Sequence, residues 1–209
     1  MPARKLNNPA AFFDSLRQGL LGPTLSETEV RGCEAIANAT GAAGWPISWA
    51  AYGLATAYHE TAHTMQPITE YGGPMYFFRM YDPYGQRPKV AKQLGNTQRG
   101  DGERYCGRGY VQLTGRANYR HAGQELGIDL ETHPELALNP DVAARILVAG
   151  MSEGWFTQQS CKSCMPNDGE CDASVFSTAR KIINGRDCAP LIASYAVKFQ
   201  DALRAGDWQ

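Results

Sequence analysis

Apolar residues recur at near-helical spacing at both ends of the chain and lose that rhythm in the middle. Ser26-Glu27-Thr28-Glu29 has the form of a capping box, with Leu25 and Val30 placed as a hydrophobic staple, and predicts a helix from about Ser26 to Thr40. Pro46 suits a helix start, and Ile47, Ala50, Ala51, Leu54, Ala55 and Tyr58 follow at helical intervals. Pro67 forbids continuation, which puts His59 and Glu60 in the last turns of that helix. From Gln66 to Arg108 the pattern dissolves into Gly, Pro, Tyr and polar residues, and predicts a long loop or small-sheet lobe of the kind that usually carries function. Helical signals return at Arg116 to Leu126, from Asn139-Pro140 to about Trp155, at about Ala173 to Asn184 closed by Gly185, and at about Pro190 to Arg204.

The resulting expectation is a mainly helical α+β fold: one catalytic domain over residues 1–209, with an irregular lobe at about 66–108 set into it. Its length allows a sizeable core, and 43% hydrophobic with 20% charged residues is ordinary globular usage. Lys and Arg number 20 against 21 Asp and Glu, and no long run of one sign occurs, so a nucleic-acid partner is not expected. No stretch approaches eighteen apolar residues, so no stable membrane insertion is expected. The start, Met1-Pro2-Ala3-Arg4-Lys5, lacks the apolar core of a secretory signal, which predicts synthesis in the cytoplasm and release by other means if the substrate lies outside. Of six cysteines, Cys161, Cys164 and Cys171 cluster while Cys33, Cys106 and Cys188 are scattered. The Cys161-Lys162-Ser163-Cys164 spacing leaves open a metal clip, local disulfides or reduced thiols.

The chemistry-bearing segment Tyr58-His59-Glu60-Thr61-Ala62-His63 has two readings. As His59-Glu60-Thr61-Ala62-His63 it could be a zinc-peptidase helix, but Pro67 cuts that helix short, and His121 and His133 are the only other histidines. Alternatively, Glu60, at the end of an apolar helix beside the irregular lobe, is a general acid of a glycosidase. Such an enzyme needs a second carboxylate, and Glu70 stands at the entry to the lobe, with Asp82, Asp101 and Glu103 as fallbacks. In Gly107-Arg108-Gly109-Tyr110-Val111-Gln112-Leu113-Thr114, followed by Asn118-Tyr119, the side chains of Gln112, Thr114 and Asn118 are suited to hold a water and the acetamido groups of a sugar. The plainer reading is a strand-to-helix junction in which Thr114 caps the helix.

His59-Glu60-Thr61, Gly107 to Thr114, Asn118-Tyr119 and Ile182-Ile183-Asn184-Gly185, in that order, resemble the family 19 glycoside hydrolases: plant-type chitinases and, more closely, related phage and bacterial endolysins. The resemblance implies a lysozyme-like, two-lobed fold with a deep cleft, no cofactor or metal, and inversion at the anomeric carbon. It gives Glu60 the role of acid and Thr114 that of helping to hold the attacking water, with Glu70 as the chosen base. Gln112, Asn118 and Asn184, grouped with His59 and Tyr119 of the same motifs, are implied substrate contacts. Inversion implies carboxyl groups roughly 6.5–9.5 Å apart. Two departures stand out: an arginine expected in the final helix is missing near Tyr195, and His63 stands where glycine is common. The implied function is an endolysin acting as a monomer on the β-1,4 bonds of peptidoglycan, with a chitinase as the alternative and a glycan-binding module without activity as a reading from another class.

Overall fold

The computed structural model describes residues 2–209; Met1, the first residue of the segment read for a secretory signal, lies outside the described residues. In chain order the helices are α1 (Pro9–Gly19), α2 (Glu27–Ala42), α3 (Ile47–Glu60), α4 (Pro74–Tyr81), α5 (Pro88–Gln93), α6 (Asp101–Arg104), α7 (Arg116–Leu126), α8 (Pro140–Glu153), α9 (Cys161–Cys164), α10 (Ala173–Ala179) and α11 (Ala189–Ala205). The strands are β1 (Ile68–Thr69) and β2 (Arg108–Gly109). The fold is mainly helical and lysozyme-like, with one small sheet. Two compact units share it, residues 1–66 with 147–209, and residues 67–146.

In the first unit α3 is the core element. Every residue from Ser48 to Tyr58 is buried, because small side chains (Ala50, Ala51, Gly53, Ala55, Ala57) let neighbouring helices approach from all sides. It packs against α2 and α11, and α11 also receives α1 and α10. The capping box of α2 forms as expected: Ser26 accepts from the Glu29 amide and the Glu29 carboxylate accepts from the Ser26 amide. Pro46 is the N-cap of α3 rather than its first residue.

Helix α3 ends at Glu60, well ahead of Pro67. The Thr61 hydroxyl donates to the Ala57 carbonyl at 2.7 Å and accepts from the Met65 amide at 3.2 Å. Ala62, His63 and Met65 then adopt left-handed φ values of 50°, 71° and 54°. Met65 is driven inward to full burial, with its carbonyl lying where a β-carbon of Gly32 would otherwise sit. The break is therefore made by a left-handed turn tied to α3 and packed on α2, and the proline plays no part in it. The cysteine-bearing segment docks on the same unit, where Gln200 of α11 both donates to and accepts from the Cys171 backbone, and Trp49 donates to the Pro166 carbonyl. All six cysteines carry free thiols.

In the second unit the stretch expected to be loop or sheet contains α4, α5 and α6. Its Gly-Pro and Arg-Pro pairs start helices instead of interrupting them: Pro74 and Pro88 each occupy the first helical position, where a missing amide costs nothing. β1 and β2 pair antiparallel over only two residues each, Ile68 with Gly109 and Thr69 with Arg108.

Glu131 knots this unit together, accepting from Arg120 at 2.7 Å and Arg116 at 3.2 Å. The Arg120 hydrogen bond, followed by that of Arg116, holds its carboxyl down at about 2, against an ordinary 4.5. A depressed folded value stabilises above the ordinary value, and that stability is lost as pH falls through about 2. Glu131→Gln is therefore expected to lower stability at pH 7 by about 1 kcal/mol, a half-exposed network being screened by solvent. The gap from wild type should close progressively in urea melts below the ordinary carboxylate range.

Candidate functional site

The sequence-nominated residues fall into two groups, one in each unit. The first group sits at the C-terminal end of α3. Glu60, one-fifth exposed, accepts from Arg180 Nη1 through Oε1 at 2.7 Å. Arg180 is 3% exposed and opens a short 3-10 turn, Arg180–Ile182, with its Nε donating to the Asp187 carbonyl at 3.0 Å. An arginine so deeply buried requires polar partners for its guanidinium, and the Glu60 carboxyl and the Asp187 carbonyl supply them. Sequence reading missed this residue: it looked for an arginine in the last helix, whereas the guanidinium arrives from the turn ahead of Asn184-Gly185. Because Oε1 is held by Arg180, a transferable proton on Glu60 belongs on Oε2.

His59 is half-buried, and burial is the chief reason its imidazole titrates below the usual histidine range. The Glu60 charge opposes the shift, while Arg180 and His63 add to it. It is therefore a neutral ring at neutral pH. His63 lies beyond the helix, stacked on Tyr58 with centroids 4.4 Å apart, its Nε2 3.4 Å from the Tyr195 hydroxyl. The zinc-peptidase reading needs His59 and His63 one turn apart on a single helix. The left-handed break after Glu60 removes that geometry. Asn184 is exposed, and its Oδ1 accepts from the Gly185 amide at 2.9 Å.

The second group is built on β1, β2 and the loop that follows. Arg108 and Leu113 exchange backbone hydrogen bonds of 3.1 and 2.9 Å, closing a tight loop in which Gly109 and Gln112 take φ of 92° and 52°. The Gln112 amide nitrogen donates to the carbonyls of Gly109 at 3.1 Å and Ile68 at 3.3 Å, which anchors its side chain to both strands. Thr114 donates its hydroxyl to the Gln112 carbonyl at 2.8 Å. It does not cap α7, whose N-cap is Gly115 without a side-chain hydrogen bond. Asn118, exposed in the first turn of α7, donates to the Thr114 carbonyl at 2.7 Å. Tyr119 departs from the substrate-contact reading: it is wholly buried and donates to the Cys106 carbonyl at 2.9 Å while accepting from Arg108 at 3.1 Å. Its motif neighbour faces solvent, whereas the tyrosine braces the loop from beneath.

Glu70 leaves β1 with its amide bonded to the Gly107 carbonyl at 2.8 Å. Its Oε1 accepts from Tyr81 at 2.7 Å and Tyr76 at 3.3 Å, and its Oε2 from the Gly107 amide at 3.3 Å. Burial, followed by this hydrogen bond and the Glu70 charge, pushes the Tyr81 phenol well above its usual value. Of the fallback carboxylates, Asp82 is buried and accepts from the amides of Tyr84 and Gly100. Asp101 binds Arg116 through both oxygens and the amides of Thr97 and Gln98. Burial pushes the Asp101 carboxyl upward, but Arg116 and the two amides outweigh it and hold it below the usual range. Both are structural anchors by their bonding. Glu103 is exposed on α6. Glu70 alone of the four shares a neighbourhood with Gln112 and Thr114, the three converging on Gly107.

Three kinds of comparison bear on the fold and the family. An Arabidopsis thaliana endochitinase is 38% identical over 99 residues, which is 46% of this chain and only a third of that protein's own length. Chitinase C from Streptomyces griseus superposes with a TM-score of 0.60 at 21% identity, covering 97% of this chain and 77% of that one. A bacterial family 19 chitinase superposes with a TM-score of 0.54 at 20% identity, covering 95% of each chain. At those identities the superpositions speak for the fold alone. The family model described as chitinase class I matches residues 37–185, a span that holds Glu60, Glu70, the Gly107–Thr114 loop and Asn184. With well over half of its length matched by that family model, this chain belongs to glycoside hydrolase family 19.

Proposed function

We propose that this glycoside hydrolase cleaves β-1,4 bonds of an N-acetylated amino-sugar polymer by acid/base catalysis with inversion. Glu60 passes the proton on Oε2 to the glycosidic oxygen as the bond from that oxygen to the anomeric carbon breaks. A water attacks the same carbon from the opposite face and loses a proton to Glu70, so each carboxyl group ends with the other's starting charge. Thr114 helps hold the water, and Gln112, Asn118 and Asn184 are the hydrogen-bonding groups for the sugar and its acetamido arms. The observation that carries this reading is the convergence of Glu70, Thr114 and Gln112 on Gly107, a carboxylate and two neutral oxygens gathered at one point.

Two polymers share the required chemistry. The motif resemblance to endolysins speaks for peptidoglycan. The names of the similar proteins, an endochitinase and chitinases, speak for chitin. Parallel digestion of purified peptidoglycan and chitin oligomers, with mass analysis, decides between them by which polymer yields products.

The reaction class has its own test. New reducing ends should appear with full activity in EDTA, the first product should carry the α configuration, and His63→Ala should cost less than about threefold, since general acid/base work resides elsewhere. New amino termini, together with loss on chelation, would reinstate the peptidase; a β-configured first product would reject inversion.

A further inference from the structure

Gly107 lies buried at the start of the β2 loop, and what surrounds the place of its absent side chain is chemically uniform. A β-carbon there would stand 2.9 Å from Gln112 Oε1, 3.1 Å from Thr114 Oγ1 and 3.2 Å from Glu70 Oε2. All three atoms are acceptors toward that point. Gln112 has spent its amide nitrogen on the Gly109 and Ile68 carbonyls, which also fixes which end of the amide is the oxygen. Thr114 has given its hydroxyl proton to the Gln112 carbonyl, leaving lone pairs. Glu70 is a carboxylate whose other oxygen, Oε1, is occupied by Tyr81 and Tyr76.

The Gly107 amide, the donor at this point, is already given to Glu70 Oε2, so the three acceptors suit a small molecule with two protons to give. A water bound there points its protons into the protein and keeps a lone pair directed outward, the orientation a nucleophile needs. Any side chain on residue 107 would intrude on that molecule. The two tyrosines act from the far side of the carboxylate. With Oε1 tethered at 2.7 and 3.3 Å, rotation about the last side-chain bond is blocked and Oε2 stays aimed at Gly107. Tyr76 is itself held, its ring set edge-on to Tyr81 and lying where a Gly72 β-carbon would be.

We propose that Gly107 is the floor of the nucleophilic-water site, bounded by Glu70 Oε2, Thr114 Oγ1 and Gln112 Oε1, and that Tyr81 and Tyr76 are positioning residues aiming Glu70 at it. This rests on the reading of Glu70 as the base. Gly107→Ala is the probe, because Gly107 is not among the residues with left-handed φ and its methyl would meet side-chain oxygens and no backbone atom, the tightest at 2.9 Å. It is expected to melt within about 2 °C of wild type, to retain KM, and to lose kcat by about 10²-fold. Tyr81→Phe is expected to lower kcat about tenfold at unchanged KM, because Glu70 Oε1 loses its shorter tether.

Glu70→Gln is measured alongside. If it is inactive while folded Gly107→Ala turns over like wild type, the water site is overturned and the base stands; if Glu70→Gln is active, the base itself is wrong. If Gly107→Ala fails to fold, the wild-type enzyme decides in a crystal structure fine enough to resolve solvent. An ordered water bonded to Glu70 Oε2, Thr114 Oγ1 and Gln112 Oε1 upholds the proposal, and its absence from that position overturns it. Wild-type kcat in Tyr81→Phe, or a rise in KM that accounts for the whole loss, overturns the positioning role.

Discussion

Glu60→Gln is expected to give a folded chain whose turnover is lower by about 10²- to 10⁴-fold, the usual contribution of a general acid. The amide oxygen can still accept from Arg180 Nη1, so the end of α3 and the 3-10 turn at Arg180 keep their places. What is lost is the proton on the second oxygen, since an amide nitrogen is far too weak an acid to protonate a departing sugar oxygen. A stability cost should accompany the loss. Arg180, only 3% exposed, keeps its hydrogen bond but trades a carboxyl partner for an amide, which lowers stability by about 1 kcal/mol. Release of reducing ends, measured against a thermal melt of the same preparation, checks both parts. Full turnover in a folded Glu60→Gln enzyme would remove Glu60 from the mechanism.

Glu70→Gln should produce a loss of similar size, about 10²- to 10⁴-fold in kcat, with little change in KM. The substituted side chain can still accept from Tyr81 and still fit beside Gly107, so glycan-binding groups are undisturbed. It can no longer take a proton from water. The controls are Asp82→Asn and Asp101→Asn. Each removes a charge from a carboxylate that ties backbone amides together, and Asp101 also anchors Arg116 at 2.6 Å. Those variants should lose stability and, where folded, keep turnover. A folded Asp82→Asn or Asp101→Asn enzyme without activity, beside an active Glu70→Gln, would transfer the base to the other residue.

The chemistry was more legible than its supports. Glu60, Glu70, Gln112 and Thr114 could be named because each stands in a short motif or at a punctuated boundary. Tyr81 and Arg180 could not, because neither belongs to such a motif. Tyr119 shows the opposite error: a motif residue read as a contact proved to be a buried brace, since adjacent positions on a helix are turned about 100° from each other. His63, flagged because glycine is common at its place, does take the left-handed backbone that glycine adopts most easily.

What the sequence by itself determined are the elements whose causes lie within a few residues. The capping box at Ser26 and Glu29, the prolines opening α4 and α8, and the apolar spacing of α3 and α11 all act through contacts closed inside one or two helical turns. Only the tertiary structure decided that α3 stops at Glu60, because the turn that stops it is seated against Gly32 of α2. It also decided that Glu60 meets a guanidinium 120 residues away, and that Gly107 brings the Glu70 carboxylate to Gln112 and Thr114. Burial of Arg180 demands a hydrogen-bonding partner without saying which one. The answer comes from packing, the only agent that brings such distant residues together.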